Sequence, residues 1–464
     1  MKKNYLQLLF LLTLYSSYSQ QKFKHTYEQL KEYEGIYEYL NKGTLKIAAS
    51  PKDTVLYAII NESRYQLKAI DKDIFQNISG EKVTFSRKDG AIASYTTEGS
   101  TFNLVTKKVV FPKEMWYARP NAKDFKYVYL QPKQDPDGIP TGNLDYSGLD
   151  KSLLNEMMQK IVDGTFPNVH SVLIIKDGKL VFEEYFYEYN KTKLHELRSA
   201  TKSFVSALTG IAIDKGLIEN KDVTVLSYFP EYTFKNLTED KRLISIKNLL
   251  TNQSGLDCDV SNPKSEGNET IMNSSPDWIQ YTLDLPMVDV PGGKGMYCSG
   301  NPILLGRIIE KATKMPLPDF AKQTLFKDIG IKNFTWNFKP DASSAETFCQ
   351  LYLNSRDMAK LGLLYLNKGV WNGKQVISSA WVKESLTKQS VVQGVNYGFL
   401  WWLKQLDVNG VRYNAKTAQG NGGQKIYIWE EQNMVTIITG GNYNSQSPSD
   451  EIIQKYILPS FNRK

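Results

Sequence analysis

Apolar and polar positions change rhythm along this chain. From residue 34 to about 111 they alternate with period two, in short runs separated by turn signals. After a short helical pattern over 26–33, strands are predicted at 36–40, 45–47, 55–60, 65–67, 83–85, 91–95 and 102–105. Asn41-Lys42-Gly43, Lys88-Asp89-Gly90 and Glu98-Gly99 supply turns between them. Close spacing without helices between the strands predicts a small antiparallel barrel or sandwich. From about 145 the pattern is mixed. A helix over 149–163 leads into a hairpin, 171–175 and 180–184, turning at Asp177-Gly178. Residues 199 to about 390 read as mostly helical with long loops, and 203–213 as a buried helix with 199–202 at its mouth. Strands return at 397–403, 411–413, 425–429 and 434–438, and a helix over 450–457 closes the pattern. Strands at both ends with helices between imply one antiparallel sheet built from distant segments, carrying an inserted helical subdomain. The expected fold is α/β in the broad sense (α+β), preceded by a small all-β domain.

Composition divides the chain further. Its 464 residues exceed what one core usually serves, which favours two domains. Lys2 and Lys3, an apolar run from Leu6 to Tyr15, and Ser17-Tyr18-Ser19 together read as a cleaved secretory signal over 1–19. A β-rich domain is then expected over 20–118, a linker rich in Pro, Asp and Lys over 119–144, and a second domain over 145–464. The protein is expected to be exported, periplasmic or extracellular, without a stable membrane anchor. Its formal charge of +8 comes from dispersed lysines, so no nucleic-acid groove is indicated.

Cys258, Cys298 and Cys349 make an odd count, so at most one bridge forms, and no spacing favours a pair. Cys298 reads as a small buried filler. His25, His170 and His195 are the only histidines. A Ser-His-Asp triad needs a histidine that returns to the serine. His195 falls in the same turn as Ser199, His25 lies in a separate segment, and His170 opens a strand, where a structural role fits. Neither a metal nor an organic cofactor is expected. Proton transfer, if there is any, falls to lysine or tyrosine.

Ser199-Ala200-Thr201-Lys202 is the strongest candidate chemistry. Serine and lysine three apart on a helix share one face. A shielded lysine gives up its proton more readily and can activate the serine hydroxyl. A helix start also offers main-chain N–H groups to an oxyanion. On its own Ser-x-x-Lys is weak, because it arises by chance.

The order of segments that follows makes it strong. Leu180 to Phe186 precedes Arg198-Ser199-Ala200-Thr201-Lys202-Ser203, and Ile244 to Leu256 comes after it. Tyr297-Cys298-Ser299-Gly300-Asn301, Ser355 to Gly362, Tyr397 to Trp402 and Gln419-Gly420-Asn421-Gly422-Gly423-Gln424 complete the series. From about 145 onward the chain resembles the serine β-lactamase and penicillin-binding-protein superfamily, on its class C side. The resemblance implies Ser199 as nucleophile, Lys202 as its basic partner and Tyr297 as the phenol that passes the proton to the leaving group. It also implies an oxyanion hole from the amides of Ser199 and Asn421, and substrate contacts at Ser299, Ala418, Gln419, Gly420 and Gln424. Two departures stand out. The family's Tyr-x-Asn is Tyr297-Cys298-Ser299 here, and Lys-Thr-Gly or His-x-Gly is Ala418-Gln419-Gly420. This pattern is similar to the 6-aminohexanoate-dimer hydrolase branch, whose members cleave amides or esters. The expectation is a serine hydrolase acting on a small-molecule or peptide-like acyl substrate. A β-lactamase or D-alanyl-D-alanine carboxypeptidase is the rival within enzymes, and a non-catalytic cell-wall or peptide sensor the rival outside them.

Overall fold

The computed structural model describes residues 23–461, apart from 41, 42, 61, 121, 345 and 346. The leader expected over 1–19, and Asn41 and Lys42 of the first turn, lie outside the described residues.

A short helix, Tyr27–Leu30, is held at its start by a capping box between Thr26 and Gln29. Eight antiparallel strands then close into a barrel: Gly35–Glu38, Thr44–Ser50, Val55–Ile60, Ser63–Asp71, Ile74–Gln76, Lys82–Lys88, Ala91–Thr97 and Ser100–Thr106. Closure comes from pairing of the first strand with the last, Ile36 opposite Thr106 and Tyr37 opposite Leu104. The period-two reading finds seven of the eight, and Ile74–Gln76 escapes it because three residues are too few to show alternation. Tyr37, Leu56, Phe75, Phe85 and Tyr95 fill the barrel interior.

The second region is built on an eight-stranded sheet whose spatial order shuffles the chain. It runs Lys179–Tyr185, Val169–Lys176, Met434–Gly440, Gln424–Trp429, Val411–Gly420, Trp402–Val408, Val395–Tyr397 and Ser390–Val392. Pairing of Val169–Lys176 with Met434–Gly440 joins the two ends of this region, as the pattern predicts. The central strands are buried on both sides because helices cover each face. Lys151–Val162 and the C-terminal helical segment Ser449–Ile457 share one apolar core with one face. Thr201–Asp214, Gly300–Thr313 and Ser355–Leu366 pack on the other. The run predicted as one strand over 397–403 is broken. Val395–Tyr397 ends, Leu400 takes a φ of +59°, and Trp402–Val408 begins a new strand.

The Pro-rich stretch between the two regions does not hang free. Tyr127 donates to Glu184 Oε1 at 2.9 Å and Tyr129 to the Val181 carbonyl at 2.9 Å, so it lies along the edge hairpin.

Candidate active site

Ser199 occupies a single 3₁₀ turn, Arg198–Ala200, that runs directly into the helix Thr201–Asp214. The turn is entered under strain, with Arg198 at φ +48°. Surrounding bonds hold it there. The Leu197 N–H donates to the Leu351 carbonyl at 2.9 Å, the Leu351 N–H to Thr201 Oγ1 at 3.1 Å, and Ser203 Oγ to the Leu400 carbonyl at 2.7 Å. One turn after the serine, Lys202 Nζ donates to Ser199 Oγ at 2.8 Å. The lysine is 6% exposed, so this contact is sheltered from bulk water.

Tyr297 completes the cluster, with Lys202 Nζ 5.2 Å from its ring centroid. Trp402 packs against it at 5.1 Å and Tyr397 at 6.5 Å. Asn252 fixes the loop carrying it. The Met296 N–H donates to the Asn252 carbonyl at 2.8 Å, and Asn301 Nδ2 and the Cys298 N–H donate to Asn252 Oδ1 at 3.0 and 3.4 Å. Cys298 is not the filler its neighbourhood suggested. It forms a disulfide with Cys258, whose Cα lies 5.0 Å away, and the Val260 N–H donates to the Tyr297 carbonyl at 3.0 Å. Cys349 is the free cysteine, and burial pushes its thiol up to about 12. Ser299 Oγ donates to Glu269 Oε2 at 3.1 Å, and with Lys202 these two border a cavity of about 30 Å³, room for water.

The third segment divides its residues between environments. Gly420 is pressed onto the nucleophile turn: a β-carbon there would stand 2.2 Å from the Leu197 carbonyl oxygen and 3.1 Å from the Ser199 amide nitrogen. Only glycine fits such an approach. Asn421 follows at once, its side chain paired with Asn444 by bonds of 2.7 and 2.9 Å. Ala418 is buried in the same apolar core as Tyr297 and Trp402. Gln419, one residue on, falls on the opposite face by strand alternation. There its Oε1 accepts from Lys425 Nζ at 2.8 Å, beneath Asp450 of the C-terminal segment. Gln424 is fully buried, donating to the Gly440 and Asn421 carbonyls at 2.7 and 3.2 Å and accepting from the Gly440 N–H at 3.2 Å. Of the five substrate contacts expected, Ser299, Ala418 and Gly420 therefore lie with the Ser199 cluster. Gln419 and Gln424 are taken up by the sheet itself, a placement that strand alternation makes legible for Gln419.

Both histidines near the serine point elsewhere. His195 lies in a two-residue strand, His195–Glu196, not in the serine's turn, and its Nε2 stands 2.8 Å from His170 Nδ1. Burial holds His170 well below the usual histidine range, which keeps it neutral. Asp357 pairs with Lys360 at 2.7 Å, and Asn354 caps its helix. Arg356 turns to Glu183, Asp135 and Asp137.

Sequence reading did not find the carboxylates around the turn. Glu196 is fully buried, and burial raises its carboxyl to about 7. Arg198 Nε lies 3.1 Å from its Oε1 but is not aligned for a hydrogen bond. Glu62, from the barrel, stands 3.2 Å from His195 Nδ1 and accepts from the Glu196 N–H at 3.3 Å and from Tyr443 Oη at 3.2 Å. No local motif marks Glu62, because its partners lie over a hundred residues away.

Comparison with known proteins agrees with this architecture. The family profile described as Beta-lactamase matches residues 154–452. A Salmonella typhimurium protein, provisionally named a D-alanyl-D-alanine carboxypeptidase, is 27% identical over 247 residues, covering 47% of this chain and 56% of that protein. The chain thus spans about half the length of the curated relatives it matches. Among solved structures, a Bacillus anthracis protein provisionally named a 6-aminohexanoate-dimer hydrolase superposes with a TM-score of 0.54 at 20% identity, over 75% of this chain and 93% of that one. A D-stereospecific amidohydrolase from a Streptomyces species gives 0.53 at 16%, over 67% and 99%. At these identities the superpositions establish the fold. With its family profile extending over more than half its length, the chain belongs to the Beta-lactamase family.

Proposed function

We propose that this protein is an exported serine hydrolase that cleaves an ester or amide through an acyl-enzyme on Ser199. The observation that carries the reading is the 2.8 Å contact between Lys202 Nζ and Ser199 Oγ at the mouth of a buried helix. In this reading Lys202 takes the hydroxyl proton as Ser199 Oγ attacks the carbonyl carbon. The N–H groups of Ser199 and Asn421 hold the oxyanion, with Gly420 keeping their two segments in contact. Tyr297 gives its proton to the departing alcohol or amine and is reprotonated by Lys202, and water then attacks the acyl-enzyme, passing one proton back to Ser199 Oγ as the acid is released. The Cys258–Cys298 disulfide supports an oxidising compartment, in keeping with the leader-like start of the sequence.

Substrate preference follows from Ala418. A lysine or histidine there would anchor a substrate carboxylate, worth about 1.5–3 kcal/mol for a charged hydrogen bond. Alanine in an apolar wall favours a neutral short ester or linear amide over a β-lactam. A second reading, release of D-alanine from a peptide, draws on the name of the Salmonella relative. A fluorophosphonate probe followed by peptide mapping tests the nucleophile, with a single adduct on Ser199 expected. Turnover of short esters, linear amides, D-Ala peptides and a chromogenic β-lactam then ranks the substrates. An adduct elsewhere overturns the mechanism, and a β-lactam turned over faster than every neutral ester and amide overturns the preference.

A further inference from the structure

We propose that the N-terminal barrel is a binding cup for a neutral lipophilic small molecule, opening beside the catalytic region. The barrel encloses a cavity of about 490 Å³. Leu45, Ile47, Ala58, Leu67, Val83 and Tyr95 form its apolar wall. An eight-stranded barrel is just wide enough to hold one small ligand, and barrel mouths are recurrent ligand sites.

One end is plugged and the other open. Leu30 and Tyr33 pack with Phe75 and Phe85, and none of these four borders the cavity. Tyr33 meets both phenylalanines edge-on, at 5.0 and 4.9 Å. At the mouth, Leu40 and Ile78 border the cavity while remaining 54% and 65% exposed. Large aliphatic side chains held in water around an apolar hollow suit an entering apolar molecule, since its arrival removes them from solvent.

The mouth also carries a charge filter. Glu81 and Glu98 both border it, and the neighbouring Glu81 carboxyl raises that of Glu98. Two carboxyls at the mouth repel an anionic headgroup, which favours a neutral ligand over a carboxylate or sulfonate. On the side facing the catalytic region, Asn444 completes the rim, its Nδ2 donating to Tyr65 Oη at 3.3 Å. Asn444 is the residue that pairs with Asn421, so the cup opens next to the segment packed on Ser199.

Two dyes sharing one aromatic body separate the possibilities. The full chain is titrated with neutral N-phenyl-1-naphthylamine and, separately, with its anionic relative 8-anilino-1-naphthalenesulfonate, following emission. The neutral dye should bind at least ten times more tightly. Ala58→Trp fills the cup and should abolish its binding, with the melting curve confirming a folded chain. If that variant does not fold, Ile78→Asp carries the test, because the side chain is already exposed, and should weaken the neutral dye several-fold. Glu81→Gln with Glu98→Gln should narrow the gap between the dyes. The cup is overturned if neutral-dye binding is unchanged in folded Ala58→Trp or in Ile78→Asp. Equal affinity of wild-type protein for both dyes, or a gap the double variant leaves intact, overturns the neutral specificity.

Discussion

At the scale of single residues, ionisable groups are buried where carrying a charge is costly, and this makes pH a readout of the fold. Glu196 is buried with its carboxyl raised to about 7, against an ordinary value of 4.5. Between those values the folded state keeps a proton that the unfolded chain has released, so stability falls as pH rises through the window. Lys425 behaves oppositely. Burial lowers it from 10.5 to about 7, so between pH 7 and 10.5 the unfolded chain binds the extra proton and stability rises with pH. Each limb has a slope of at most about 1.4 kcal/mol per pH unit, the value for one proton. Glu196→Gln should flatten the acid limb alone and Lys425→Met the alkaline limb alone, as read from melting temperatures between pH 4.5 and 10. A variant that leaves its own limb unchanged would refute that residue's placement. At the reacting centre, Lys202→Ala and Tyr297→Phe should each lower ester turnover by about 10²–10⁴-fold, the range for lost proton-transfer groups. Near wild-type rates in either folded variant would sink the proposed proton path.

Elements show which features a sequence can display. Ser199 and Lys202 are legible because helix geometry alone puts residues three apart on one face. Barrel and hairpin are legible because alternation repeats over several residues, whereas Ile74–Gln76 is too short to repeat. Pairings across the fold carry no such local mark. The Cys258–Cys298 bridge, the His170–His195 contact and Glu269 beside Ser299 all join residues separated by 25 to 40 positions. The bridge has its own consequence. It closes a 40-residue separation and fastens the chain at the residue that follows Tyr297. Chain-entropy reasoning assigns a loop of that length about 4 kcal/mol. Cys258→Ser with Cys298→Ser, or reduction of the native protein, should therefore lower the melting temperature clearly. Fluorophosphonate labelling of Ser199 should slow as Tyr297 loses its anchor. Melting curves that coincide before and after reduction would show that the bridge adds nothing.

For the whole molecule, the decisive contact is the one between the barrel and the nucleophile's surroundings. A hairpin turn places Glu62, Ser63 and Arg64 against the catalytic region. Arg64 Nη2 meets Glu188 Oε1 at 2.9 Å, and Arg198 Nη2 donates to Ser63 Oγ at 3.4 Å. Glu62 reaches His195, the Glu196 N–H and Tyr443, so one carboxylate from the barrel serves two groups just before Ser199 and one beside Asn444, the partner of Asn421. Its charge also raises the Glu196 carboxyl, which couples the barrel to that titration. Removing it should act in two separable ways. Glu62→Ala leaves the Glu196 N–H and Tyr443 Oη without that acceptor, at a cost of about 1–3 kcal/mol for a buried unsatisfied group, and should slow labelling of Ser199 by loosening the strained turn. Loss of the negative charge should also move the Glu196 limb of the stability profile to lower pH. Glu62→Gln keeps an acceptor but not the charge, so it should recover labelling while still shifting the limb. If Glu62→Ala labels and melts like wild type, the barrel does not position the nucleophile turn. If both variants leave the limb where it was, the two regions are not electrostatically coupled through Glu62.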